Sequence, residues 1–200
     1  MNKSEIIVRE IGCSYLDGTK RFTQLELSRS LGLSLSTVNG VVKKLDGIGA
    51  VRIKLRGFAV IDFKKLVYFY ATHRNLGKDV VYATRVDANV GEIESAVPGG
   101  IAFTAYTAYV MLYGEAPSDY SEVYFYAGPE ALAEVKNRFK EANGPPNVIV
   151  LKPDEKLLKD IKERRLKKSS VCPVQLFADL WNINSWYAKE YAEALERRLI

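Results

Sequence analysis

At 200 residues, with 48% hydrophobic and 26% charged side chains, the chain can bury a core in one large domain or two small ones, which excludes disorder as its dominant state. Its longest apolar run, Ile101 to Leu112, is interrupted by Thr and Tyr and falls short of the roughly 20 apolar residues of a membrane-spanning helix, so no membrane partner is expected. The net charge of +5 is uneven, since residues 1–76 hold 13 Lys and Arg against 6 Asp and Glu while residues 77–200 hold 16 against 18; a polyanion or plain solvent faces the basic third.

The opening MNKSEIIVRE lacks the apolar stretch of a secretory leader, which points to the cytoplasm. It reads instead as a first helix from Ser4, with Ile6, Ile7 and Ile11 at helical spacing. Two distant cysteines, Cys13 and Cys172, without a CxxC or Cys/His companion, suit two buried thiols better than a zinc site or a disulfide framework. After an Asp17-Gly18 turn, Thr23 and Glu26 form a capping box for a second helix that buries Leu25 and Leu27 and ends near Gly32. Ser34 caps a third helix, in which Val38, Val41, Val42 and Leu45 make one apolar stripe. Its opposite face carries Leu35, Ser36, Thr37, Asn39 and Gly40, then Lys43 and Lys44. A face that is small and polar first and basic last suits a helix that enters the major groove with its first turns and meets phosphates with its last. Gly47 and Gly49 end this helix, and AVRIKL and FAVID follow as two β-runs around a tight Arg56-Gly57 turn. Arg52, Lys54 and Arg56 alternate with Val51, Ile53 and Leu55, giving the ribbon one apolar face and one cationic face.

The stretch LSRSLGLSLSTVNGVVKKLDGIGAVRIKLRG is similar to the winged helix-turn-helix of many prokaryotic transcriptional regulators, and the resemblance, taken over residues 1–62, covers about a third of the chain. The resemblance implies double-stranded DNA as the partner, bound through Ser36, Thr37, Asn39, Gly40, Lys43 and Lys44 of the third helix and Arg52, Lys54 and Arg56 of the wing. Ser36, Thr37 and Asn39 are the expected base-edge readers. Gly40 costs about 1 kcal/mol relative to Ala inside a helix, so close backbone approach to DNA or to a partner helix is its expected reason.

Asp62 caps a helix through about Asn75 that is rich in apolar and aromatic residues, from Phe63 to Tyr70, and that belongs between the two halves or in a homodimer contact. His73, the only histidine, lacks a metal-ligand pattern and is read as a surface or packing residue. The expected division is residues 1–62 as the winged helix-turn-helix, 63–76 as a linker helix and 77–200 as an α/β domain with a mixed sheet. In that domain VVYATRV, SEVYFYA and NVIVL read as strands, and Ala102–Tyr113, Pro129–Ala142, Pro173–Asn182 and Ser185–Leu199 as helices, the first introduced by Pro98-Gly99-Gly100.

The segments PGGIAFTAYTAYVMLYG, SEVYFYA and VCPVQLFADLWN resemble the C-terminal domain of AbiEi-family antitoxin regulators. The resemblance implies autorepression of a toxin–antitoxin operon and a cognate toxin protein as a partner. Such domains also resemble the nucleotidyltransferase fold, in which the strand after a glycine turn supplies two carboxylates for divalent metal. Here that strand reads Glu122-Val123-Tyr124, with one carboxylate and a tyrosine in the second place, and Asp119 lies in a preceding turn. No catalytic residue, metal site or cofactor is therefore expected, and the competing readings are an interaction or effector-binding module and a cryptic nucleotidyltransferase. Tyr106, Tyr109 and Tyr113 on one helix and Tyr124 and Tyr126 on one strand face suit a core better than a base-stacking platform, because no Lys or Arg is interleaved with them. The run KERRLKK from Lys162 to Lys168 reads as a solvated face, with a phosphate or an acidic partner as the alternative.

Overall fold

A computed structural model describes residues 1–163 and 165–200, so Arg164 in the basic run lies outside the described residues. The fold is mixed α/β, and the chain divides into two units, Met1–Arg74 and Asn75–Leu199.

In the first unit, α1 (Lys3–Leu16) is capped by Asn2, one position before the expected start at Ser4 could allow. Its side chain accepts from the Glu5 amide at 2.9 Å while Glu5 reaches back to the Asn2 amide at 3.3 Å, a reciprocal capping box. Glu5 also meets Arg74 at 3.2 Å, and both are almost wholly buried. α2 (Gln24–Leu31) starts at the expected Thr23 cap and ends on Gly32 in the left-handed region. It buries Leu27, whereas Leu25 is 47% exposed, which corrects the expectation for that residue. α3 (Leu35–Gly47) buries the expected stripe of Val38, Val41, Val42 and Leu45 and packs on α1, α2 and β1 (Val51–Lys54). β1 and β2 (Gly57–Val60) form an antiparallel hairpin with Arg52 opposite Ala59 and Lys54 opposite Gly57. The turn is therefore Leu55-Arg56, one residue earlier than expected. Leu55, expected on the apolar face, sits at its tip and is 100% exposed.

α4 (Phe63–His73) begins at the expected Asp62 cap and packs on α1, burying Leu66, Val67 and Tyr70. Phe63 stacks on Tyr15 with ring centroids 4.9 Å apart. The helix expected to link the halves thus lies, through Arg74, within the first unit. His73 is exposed and stacks on Phe69 at 4.0 Å.

The second unit is built on a four-stranded mixed sheet in the order β3-β6-β5-β4, from β3 (Val80–Thr84), β4 (Ile101–Thr104), β5 (Val123–Ala127) and β6 (Val148–Leu151). β5 and β6 are parallel, and the two outer pairs are antiparallel. Ala102–Thr104, the expected opening of the helix Ala102–Tyr113, belongs instead to the fully buried strand β4, Ile101–Thr104. α6 (Ala105–Tyr113) starts only at Ala105, whose φ of 51° turns the chain from strand to helix. The glycines at 99 and 100 therefore introduce β4 and not α6, and Gly100 has φ 77°. α7 (Pro129–Arg138) ends four residues before the expected Ala142. Two further helices, α5 (Val90–Ala96) and α8 (Glu155–Lys162), lie where none was expected, and α9 (Pro173–Trp181) and α10 (Trp186–Leu199) close the chain.

Thr104 on β4 and Tyr126 on β5 both donate to the Asp179 carboxylate of α9 at 2.8 Å, and Gln175 donates to its other oxygen at 2.7 Å. This carboxylate is wholly buried, so these bonds replace its hydration and join α9 to the sheet. On the opposite face the Tyr82 hydroxyl donates to the Phe139 carbonyl at 2.5 Å after α7. Cys13 and Cys172 are half-buried and neither is a free thiol, which corrects the expectation of two buried thiols. Among the described residues no helix is long and apolar enough to cross a membrane.

Candidate nucleic-acid interface

The Ser34 cap sets the first turn of α3, its hydroxyl accepting from the Thr37 amide at 3.2 Å. The same hydroxyl lies 3.0 Å from that of Ser36 and 2.8 Å from that of Thr37, so two of the three expected readers share one hydrogen-bonded cluster. Ser36 is exposed while Thr37 and Asn39 are half-buried. Gly40, Lys43 and Lys44 are exposed one turn further on. Burial of the valine stripe on the other side fixes this orientation, because i, i+3 and i+4 positions share a helix face.

Besides packing, a side chain of α3 ties the hairpin to it. Asp46, in the last turn of α3, accepts from the Ile53 amide at 2.9 Å. Arg52 and Lys54 project from β1, and Arg56 from the turn, and all three are exposed. The hairpin is widened by an isolated bridge that the sequence did not announce: the amides of Phe22 and Phe58 each donate to the other's carbonyl, at 2.9 and 2.8 Å. Their rings stack at 5.3 Å. Gly57 makes this closeness possible, since its φ is 139° and a Cβ there would overlap the Phe22 carbonyl oxygen.

The bridge brings Arg21 beside the hairpin. Arg21, Lys54 and Arg56 line a shallow groove of about 180 Å³ floored by Phe22, Gly57 and Phe58. Sequence reasoning missed Arg21 because it lies before α2, and its only signal was the Lys20-Arg21 pair ahead of an aromatic residue. Among the described residues, none of Arg21, Lys43, Lys44, Arg52, Lys54 and Arg56 forms a salt bridge.

The second unit offers different chemistry. Glu122, the carboxylate singled out before β5, is half-buried and accepts a hydrogen bond from the Tyr187 hydroxyl. Asp119 is exposed. No group of three or more His, Cys, Asp or Glu side chains among the described residues could hold a metal ion. The tyrosines form core: Tyr106 is wholly buried among the rings of Tyr120, Tyr124, Tyr187 and Tyr191, with centroids 5.0 to 6.0 Å away, and its hydroxyl lies 2.9 Å from that of Ser185. Burial pushes the Tyr106 and Tyr124 phenols well above the ordinary phenol range. Burial does the same to Tyr120, helped by Glu94, which accepts its hydroxyl at 2.9 Å.

No family model, curated protein or solved structure matches this chain.

Proposed function

We propose that the chain is a DNA-binding transcriptional regulator in which residues 1–62 act as a winged helix-turn-helix. The observation that carries this reading is a set of six exposed cations that form no salt bridge among the described residues: Lys43 and Lys44 on α3, Arg52, Lys54 and Arg56 on the hairpin it holds, and Arg21 in the segment bridged to that hairpin. Cations left without carboxylates on a surface suit phosphates, whose condensed counterions they release. In this reading α3 enters the major groove of duplex DNA with Ser36 and Asn39 toward base edges. Lys43 and Lys44 meet one phosphate strand, and the hairpin with Arg21 meets the flanking backbone. Thr37, bonded to Ser34, holds the helix start.

One such unit covers a short half-site, so the regulator binds as a homodimer on a two-fold operator. Duplex DNA as partner assigns its work to the cytoplasm. The second unit serves recognition of a protein or effector and not phosphoryl transfer; the engagement of Glu122 by Tyr187, with Tyr124 in the place of a second carboxylate, supports this. The narrower form, an autorepressor of a toxin–antitoxin operon with the cognate toxin as partner, rests on the resemblance to AbiEi-family regulators alone. The test is selection from a randomised duplex pool by the intact chain. Enrichment of a shared, two-fold symmetric sequence is expected, and a pool that stays random after repeated rounds overturns the reading.

A further inference from the structure

Gly40 sits in the middle of the exposed face of α3, and neither structural reason for a glycine applies to it. Its backbone is ordinary right-handed helix, so no positive φ calls for it, in contrast to Gly32 and Gly49 at φ 62° and 72°. A Cβ added there would meet nothing within 4 Å, so no neighbour in the chain needs the space. Glycine in a helix interior loses more backbone freedom on folding than alanine, and the helix is weaker for it. The fold itself therefore supplies no reason for the missing side chain. Ser36 lies one turn before Gly40, and Lys43 and Lys44 one turn after, so Gly40 meets whatever those residues meet.

We propose that Gly40 is the point of closest approach between α3 and duplex DNA, where the helix backbone lies against base edges on the floor of the major groove and a methyl group does not fit. This rests on the DNA-binding reading above. A partner helix is the other occupant a helical glycine admits, but it would cover Lys43 and Lys44, which have no carboxylate to accompany them. Phosphates beside the same lysines satisfy them instead.

The experiment compares intact wild-type and Gly40→Ala chains on a duplex isolated by the wild-type protein from a randomised pool. Gly40→Ala should raise the melting temperature by about 2–4 °C. It should weaken binding to that duplex about tenfold or more, by forcing groups apart in a close contact. The dependence of affinity on salt should stay as it was, because no cation is lost. A variant that melts higher and binds with wild-type affinity overturns the close approach and leaves the DNA reading standing. A wild-type chain that enriches no duplex overturns the DNA reading and this inference with it. A variant that melts lower returns the glycine to the fold, and one that binds DNA normally but loses dimer mass assigns it to a helix partner; both overturn the proposal.

Discussion

The Asp46 carboxylate accepts the Ile53 amide proton at 2.9 Å and so ties the last turn of α3 to the first strand of the hairpin. In the proposed DNA-binding reading, a fixed angle between these two elements would let one surface meet both a groove and its flanking phosphates. Asp46→Ala should destabilise the first unit by about 1–2 kcal/mol in urea unfolding, because a half-buried amide loses its acceptor. Asp46→Asn, which keeps an acceptor oxygen, should retain most of that stability. Equal losses in the two variants would show that the charge of Asp46, and not its hydrogen bond, is what matters.

Gly57→Ala should cost about 1–3 kcal/mol, because its φ of 139° is strained for any side chain and the new Cβ would push against the Phe22 carbonyl. The damage should be local. Hydrogen exchange at the Phe22 and Phe58 amides should accelerate together, while the Val41 and Val42 amides of α3 keep their protection. Unchanged exchange at both phenylalanines would remove the claim that Gly57 permits the bridge.

Arg21→Ala should leave the melting temperature within about 1 °C, since an exposed cation without a salt bridge contributes little to stability. Duplex affinity should fall, and the slope of log affinity against log salt should drop by about one unit for the lost phosphate contact. An unaltered slope would take Arg21 and its groove out of the interface.

High pH acts on the other unit. Burial first, and then neighbouring acids such as Glu94 beside Tyr120, raise the phenols of Tyr106, Tyr120, Tyr124 and Tyr191 above their ordinary value near 10. With the folded values raised, their contribution to stability is fully present below pH 10 and is lost as pH climbs beyond it, because the unfolded chain then releases protons that the folded chain retains. Urea midpoints should thus be level from pH 8 to 9 and fall above about 10. Absorbance at about 295 nm should show these phenolates appearing only with the loss of native circular dichroism; their ionisation at ordinary pH in a folded chain would contradict the buried cluster.

Much of the proposed interface was legible in the sequence because one physical pattern served each element. Val38, Val41, Val42 and Leu45 announce α3 and its exposed face, and the alternation from Val51 to Arg56 announces the hairpin. Arg21 was not legible, since it reaches the hairpin only through the Phe22–Phe58 bridge, a pairing between segments 36 residues apart. The strand Ile101–Thr104 was hidden for another reason: IAFTAYTAYV is apolar on every side, and periodicity cannot divide a buried strand from the buried helix that follows it. α8 was masked by its charges, although Leu157 and Ile161 recur at i and i+4 and are buried.

The most direct test of the central claim is a titration of the intact chain with the selected duplex over a range of salt concentrations, beside the variant carrying Lys43→Ala and Lys44→Ala. If α3 meets phosphates with its last turn, the variant should bind all duplexes more weakly, and its slope of log affinity against log salt should be shallower by about two units. Affinity and slope equal to those of the wild-type chain would contradict the account and free α3 from any role in DNA binding.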